Sequence, residues 1–122
     1  MRTGIGRMQK VYNKLIRDRI PEIIEGAGEV PHLRKLSKKE FKEELKKKVL
    51  EEAKELIGSK SKKEILNEVV DIQELIGWLA KELKINPSQL GKLQAEKNKK
   101  RGSFKKKLFL IKTTLPKDKN YG

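Results

Sequence analysis

Glu51-Glu52-Ala53-Lys54-Glu55 and, twelve residues later, Glu68-Val69-Val70-Asp71 are the stretches on which the reading of this chain turns. Both sit in segments whose apolar residues recur at helical spacing. Residues three apart share nearly one helix face, so Glu52/Glu55 and Glu68/Asp71 each form a carboxylate pair. Two helices packed through their apolar stripes would bring both pairs to one point. Four converging carboxylates repel unless a cation lies among them, and hard divalent ions prefer oxygen ligands. The expected cofactor is Mg²⁺, with Mn²⁺ as a substitute.

Angular position separates these carboxylates from ordinary surface charge. At about 100° per residue, Leu45, Val49, Ala53 and Leu56 form one stripe, with Glu52 in its middle and Glu55 at its edge. In the following helix the stripe is Ile65, Val69, Ile72, Ile76, Leu79 and Leu83, with Glu68 inside it and Asp71 at its border. A carboxylate aimed into a helix interface is costly unless it is paired or bound to metal. By contrast, Glu43/Lys47 and Glu44/Lys48 read as solubilising i,i+4 pairs.

Outward from these two helices the boundaries are clear. Ser37-Lys38-Lys39-Glu40 and Ser61-Lys62-Lys63-Glu64 are capping boxes, opening helices that run to about Ile57 and about Leu83. Asn86-Pro87-Ser88-Gln89 opens a third helix that ends near Arg101, with Gly102 as terminator. Upstream, Val11 to Ile24 reads as an extended piece and then a brief helix with Pro21 near its first turn, ended by Gly26 and Gly28. Segments 30–36 and 108–114 are rich enough in strand formers to pair as a small β-ribbon. The expected organisation is a flexible extension over 1–9, one mainly all-α domain over 10–114 and a loose tail over 115–122. Val70 and Trp78 fall outside the main stripe, and a small helical protein often completes its core by oligomerising.

The 122 residues suffice for one modest core. Cysteine is absent, which excludes disulfides and thiolate metal sites and agrees with a cytoplasmic setting. No apolar run nears the roughly 20 residues that span a bilayer, so no membrane role is expected. The net charge of +14 is uneven: ten of the 17 acidic residues lie between Glu40 and Glu74, whereas both ends are basic. An acidic middle with basic flanks suits an anionic ligand that carries a cation, and it permits at most nonspecific nucleic-acid binding. Lys97 and Arg101, four apart on one helix face, form a donor cluster with Asn98 and Lys100 that suits phosphate. Cations at a helix C-terminus also serve simply to oppose its dipole.

Taken together, these residues resemble a known family. Glu51-Glu52-x-x-Glu55 followed by Glu68-x-x-Asp71 is similar to the EExxE…ExxD signature of the MazG-like all-α nucleoside triphosphate pyrophosphohydrolases. Tyr12 to Ile24 (YNKLIRDRIPEII) resembles the opening of that superfamily's small phosphoribosyl-ATP pyrophosphohydrolase-like branch, and Lys97-x-x-x-Arg101-Gly102-x-Phe104 resembles its closing motif. The resemblance implies an antiparallel helical bundle completed as a homodimer or homotetramer. It also implies Mg²⁺-dependent cleavage of a nucleotide between its α- and β-phosphates, giving a monophosphate and pyrophosphate. By position Glu52, Glu55, Glu68 and Asp71 match the metal ligands, and Lys97 and Arg101 match phosphate-binding cations. A lysine that some relatives carry four residues before the ExxD glutamate is Glu64 here, with Lys62 and Lys63 as its neighbours.

Within that scheme Glu51, beside the cage, is the candidate to orient or deprotonate the attacking water. Lys14, Arg17 and Asn98 are further candidate substrate contacts. His32, the single histidine, reads as structural, and Trp78 as an interface residue or a base-stacking one. The rival expectations are a basic helical nucleic-acid-binding module and a catalytically degenerate family member with a structural or regulatory role. The first lacks the aromatic interleaving of single-strand binders, since aromatics make up 5% of the chain.

Overall fold

The computed structural model describes residues 8–117. The outer parts of the expected N-terminal extension and C-terminal tail, residues 1–7 and 118–122, lie outside the described residues. Four helices follow in order: α1 (Ile20–Gly26), α2 (Lys38–Gly58), α3 (Lys62–Glu82) and α4 (Pro87–Arg101). The described residues divide into two compact units, one ending at Pro87 and the other beginning at Ser88.

In the first unit α2 and α3 pack on each other as a helical hairpin. At a rise of about 1.5 Å per residue, their 21 residues each make rods about 30 Å long. The joint is short, residues 59–61, which sets neighbouring helices antiparallel. Both starts are reciprocal capping boxes. The Ser37 hydroxyl accepts from the Glu40 N–H while the Glu40 carboxylate accepts from the Ser37 N–H, and Ser61 and Glu64 repeat the arrangement. Arg34 reinforces the first box through two hydrogen bonds to Glu40, at 3.2 and 2.9 Å.

The helix ends follow from backbone chemistry. Gly28 (φ 87°) and Gly102 (φ 80°) take the left-handed conformation just past α1 and α4. After α3 the same position is held by Lys84 at φ 61°, and the Ile85 N–H closes the turn on the Ala80 carbonyl at 2.9 Å. Pro21 lies in the first turn of α1, where a missing N–H costs nothing.

The apolar packing departs from the expected stripes. Among the described residues the buried apolar set is Leu45 alone, and the other buried side chains are Glu52 and Glu68. On α3, Ile72, Leu75 and Leu79 are half-buried, whereas Ile65, Val69, Ile76 and Leu83 are exposed. The α3 apolar arc is wider than one partner helix can cover, and the inward part includes Glu68 and Asp71. No helix among the described residues is long and apolar enough to cross a membrane.

The β-ribbon does not form: among the described residues there is no strand. Pro31 removes a ladder donor from segment 30–36, and Arg34 is drawn instead to the α2 cap. Segment 108–114 leaves Leu108, Phe109, Leu110 and Ile111 each at least 78% exposed, with no strand beside it. Alternating composition specifies a strand only when a partner edge completes its hydrogen bonds.

Candidate metal centre

Three carboxylates meet where α2 and α3 pack. Glu52, Glu55 and Glu68 each present an oxygen, and the three atoms lie within 4.8 Å of one another. Glu52 is 7% exposed and Glu68 8%, so each charge is more than nine-tenths buried, while Glu55 faces solvent. The Oε2 atoms of Glu52 and Glu68 are buried and meet no hydrogen-bond donor. Buried polar atoms are nearly always satisfied, and an unpaired buried carboxylate is among the costliest groups a fold can hold. The fold therefore preserves a cluster of oxygens with negative charge and too few donors, which is the donor set a hard divalent cation takes.

The electrostatics carry the same imprint. The Glu52 carboxyl is pushed up to about 8, first by burial and then by the neighbouring Glu68 and Glu55 carboxylates. Glu68 raises it chiefly by accepting a hydrogen bond from the protonated Glu52 carboxyl. Lys48 offsets part of the charge, with its ammonium 3.8 Å from Glu52 and 3.4 Å from Glu51. This corrects the expected Glu44/Lys48 surface pair. Lys48 is largely buried and turns to the acidic cluster, and Glu44 pairs with Lys47 at 3.0 Å. Glu43 likewise pairs with Lys46 rather than Lys47. The Lys48–Glu52 spacing of four was visible in the sequence.

Asp71, the fourth expected ligand, falls outside the three-carboxylate set. Its Oδ1 is held by the Arg17 guanidinium at 2.7 Å. Glu51 also has cationic company: Lys14 lies at 3.3 Å and Lys48 at 3.4 Å. Burial pushes the Glu51 carboxyl up, but Lys48 and Lys14 outweigh it and hold it below the ordinary carboxylate range. Lys14 and Arg17 thus reach the site from the segment preceding α1, spanning 37 and 54 residues of sequence. Asn13, at φ 45°, sets the local path of that segment, and asparagine tolerates this left-handed conformation better than most residues.

An open groove of about 700 Å³ runs from Glu55 and Glu68 toward the α2–α3 turn, with Lys63, Leu66, Asn67 and Val70 among its walls. Asn67 also donates to Glu68 Oε1 at 3.4 Å. Trp78 lies edge-on to Phe41 at 6.2 Å, donates its Nε1–H to Glu74 at 2.9 Å and carries Lys81 above its ring. His32 is exposed.

Lys97, Asn98 and Arg101 lie on α4 in the second unit, and all three are exposed. Lys97 and Arg101 share a helix face, as their spacing requires. The Asn98 carbonyl accepts from the Gly102 N–H at 2.7 Å and so closes the helix.

No family model, curated protein or solved structure matches this chain.

Proposed function

We propose that the chain is a Mg²⁺-dependent nucleotide pyrophosphohydrolase of the MazG-like kind, cleaving between the α- and β-phosphates to release a monophosphate and pyrophosphate. The observation that carries the proposal is the pair of orphaned, buried oxygens on Glu52 and Glu68, with Glu55 beside them. The order of the acidic, N-terminal and basic motifs along the chain adds the substrate class.

In this reading Glu52, Glu55 and Glu68 would hold the cation, with Asp71, whose Oδ1 Arg17 holds, as a further oxygen donor beside them. Bound there, Mg²⁺ supplies charge screening for the phosphates and Lewis acidity. Glu51 accepts a hydrogen bond from the attacking water and aims it. Held as a carboxylate chiefly by Lys48, it is better suited to orienting that water than to taking its proton. Water adds to one phosphorus of the bridge, the bridging P–O bond breaks, and the water's protons pass to solvent and product. The motif of Lys97 and Arg101 is the one that the resemblance links to phosphate binding.

The exposed stripe of Ile65, Val69, Ile76 and Leu83 supports completion of the core by a second copy of the chain, as a homodimer or homotetramer. Among the described residues one apolar side chain is buried, which is too little for an independent fold of this size.

The test is release of pyrophosphate from a nucleotide panel with and without Mg²⁺. Turnover should require the metal and should nearly vanish in Glu68→Gln, which keeps shape and removes charge. Turnover unchanged in that variant would exclude Glu68 as an essential ligand.

A further inference from the structure

The carboxylate cluster has cations at the end facing away from the helical turn. Arg17 sits on Asp71 at 2.7 Å and Lys14 on Glu51 at 3.3 Å. Asp71 is one turn beyond Glu68 on α3, and Glu51 is one turn before Glu55 on α2. The two pairs therefore lie at corresponding heights on the antiparallel hairpin. The groove beside Glu55 and Glu68 opens at the other end, with the apolar walls Leu66 and Val70 and the Asn67 amide.

Neither cation is needed to hold a structural charge in place. The side chains of Lys14 and Arg17 are 42% and 54% exposed, and pairs this open add little stability. They are also costly for a site built to gather cations, because each cation competes for an acidic oxygen beside the metal ligands. Both come from one segment, bent at Asn13, and the Tyr12 ring lies under the Lys14 ammonium at 5.7 Å. A guanidinium and an ammonium presented together, open to solvent, match the charge and forked acceptors of a polyphosphate.

We infer that Arg17 and Lys14 grip the pyrophosphate half of the substrate, with Asp71 and Glu51 holding them in place until phosphate arrives. This deepens the pyrophosphohydrolase reading and rests on it. The exchange is electrostatically consistent: phosphate oxygens take over the two cations, and Asp71 loses Arg17 and is freed beside the carboxylate cluster. The nucleoside end then lies toward the groove of Leu66, Asn67 and Val70, and the bridge to be cut lies over the three carboxylates.

The test uses the full chain with two probes, Mn²⁺ alone and inorganic pyrophosphate in the presence of Mg²⁺, each followed by calorimetric titration. Arg17→Ala should weaken pyrophosphate binding at least about tenfold, and Arg17→Lys should recover part of it. Mn²⁺ affinity should be unchanged or higher in Arg17→Ala, because Asp71 loses its competitor. Lys14→Ala should show a smaller loss. Pyrophosphate affinity unchanged in Arg17→Ala would overturn the inference while metal-dependent nucleotide turnover keeps the enzyme reading intact. A parallel loss of Mn²⁺ affinity would also overturn it, since Arg17 would then be structural. A wild-type chain that binds neither probe would overturn both.

Discussion

Glu52 on α2 and Glu68 on α3 face one another inside the helical hairpin, each more than nine-tenths buried and each with an Oε2 that meets no donor. Above about pH 8, where Glu52 ionises, folding holds two like charges where solvent cannot screen them and Lys48 offsets them only in part. Such an arrangement opposes stability in the absence of a cation. It becomes favourable when an ion binds the folded state and not the unfolded one.

At pH 9, with Glu52 ionised, removing one of the two charges should therefore stabilise the metal-free protein. Glu68→Gln is expected to raise metal-free stability by on the order of 1–3 kcal/mol, several degrees in Tm. The same variant should lose the thermal stabilisation that Mg²⁺ gives the wild type. Thermal unfolding with and without Mg²⁺ checks both halves, and a destabilised, still Mg²⁺-responsive variant would contradict them.

The pH dependence follows from Glu52. Its carboxyl rises from the ordinary 4.5 to about 8 on folding, so the folded state binds a proton more tightly than the unfolded one. The stability this contributes is full below 4.5 and is lost as pH rises through about 8. Denaturant unfolding of metal-free protein should thus show falling stability between pH 5 and pH 9. Glu52→Gln should flatten that slope. With Mg²⁺ the trend should reverse, because metal binding needs the ionised carboxylates.

Much of the hairpin is legible in the sequence, for local reasons. Ser37/Glu40 and Ser61/Glu64 form both halves of their capping boxes, and Gly102 ends α4 where its position predicted. These signals depend on residues within a few positions of each other. Glu52, Glu55 and Glu68 were legible because two helical periodicities placed them on the shared interface. Lys14 and Arg17 reach acids 37 and 54 residues away, and nothing local in a basic N-terminal stretch names its partner. The β-ribbon misled because composition reports strand propensity and says nothing about whether an edge is available. The extent of the α3 stripe misled because the apolar arc exceeds what α2 alone can bury.

Lys84 offers a test of the backbone argument. It occupies the left-handed position after α3 at φ 61°, which glycine adopts without the steric cost borne by other residues. Lys84→Gly should stabilise the chain by about 1 kcal/mol, read from denaturant unfolding, with turnover unaffected. A loss of stability would show that the Lys84 side chain contributes more than its backbone costs.

The open α3 stripe predicts association. Ile76, 40% exposed on that face, is the residue to change: Ile76→Glu should shift the sedimentation of the protein toward a monomer and lower its stability. An unaltered association state would place the subunit contact elsewhere.

The measurement that bears most directly on the central claim is phosphorus NMR of a nucleoside triphosphate incubated with the protein and Mg²⁺. A monophosphate and inorganic pyrophosphate should appear in equal amounts, with no reaction when the metal is chelated. Orthophosphate with a diphosphate, or no metal-dependent product from any nucleotide of a broad panel, would contradict the claim.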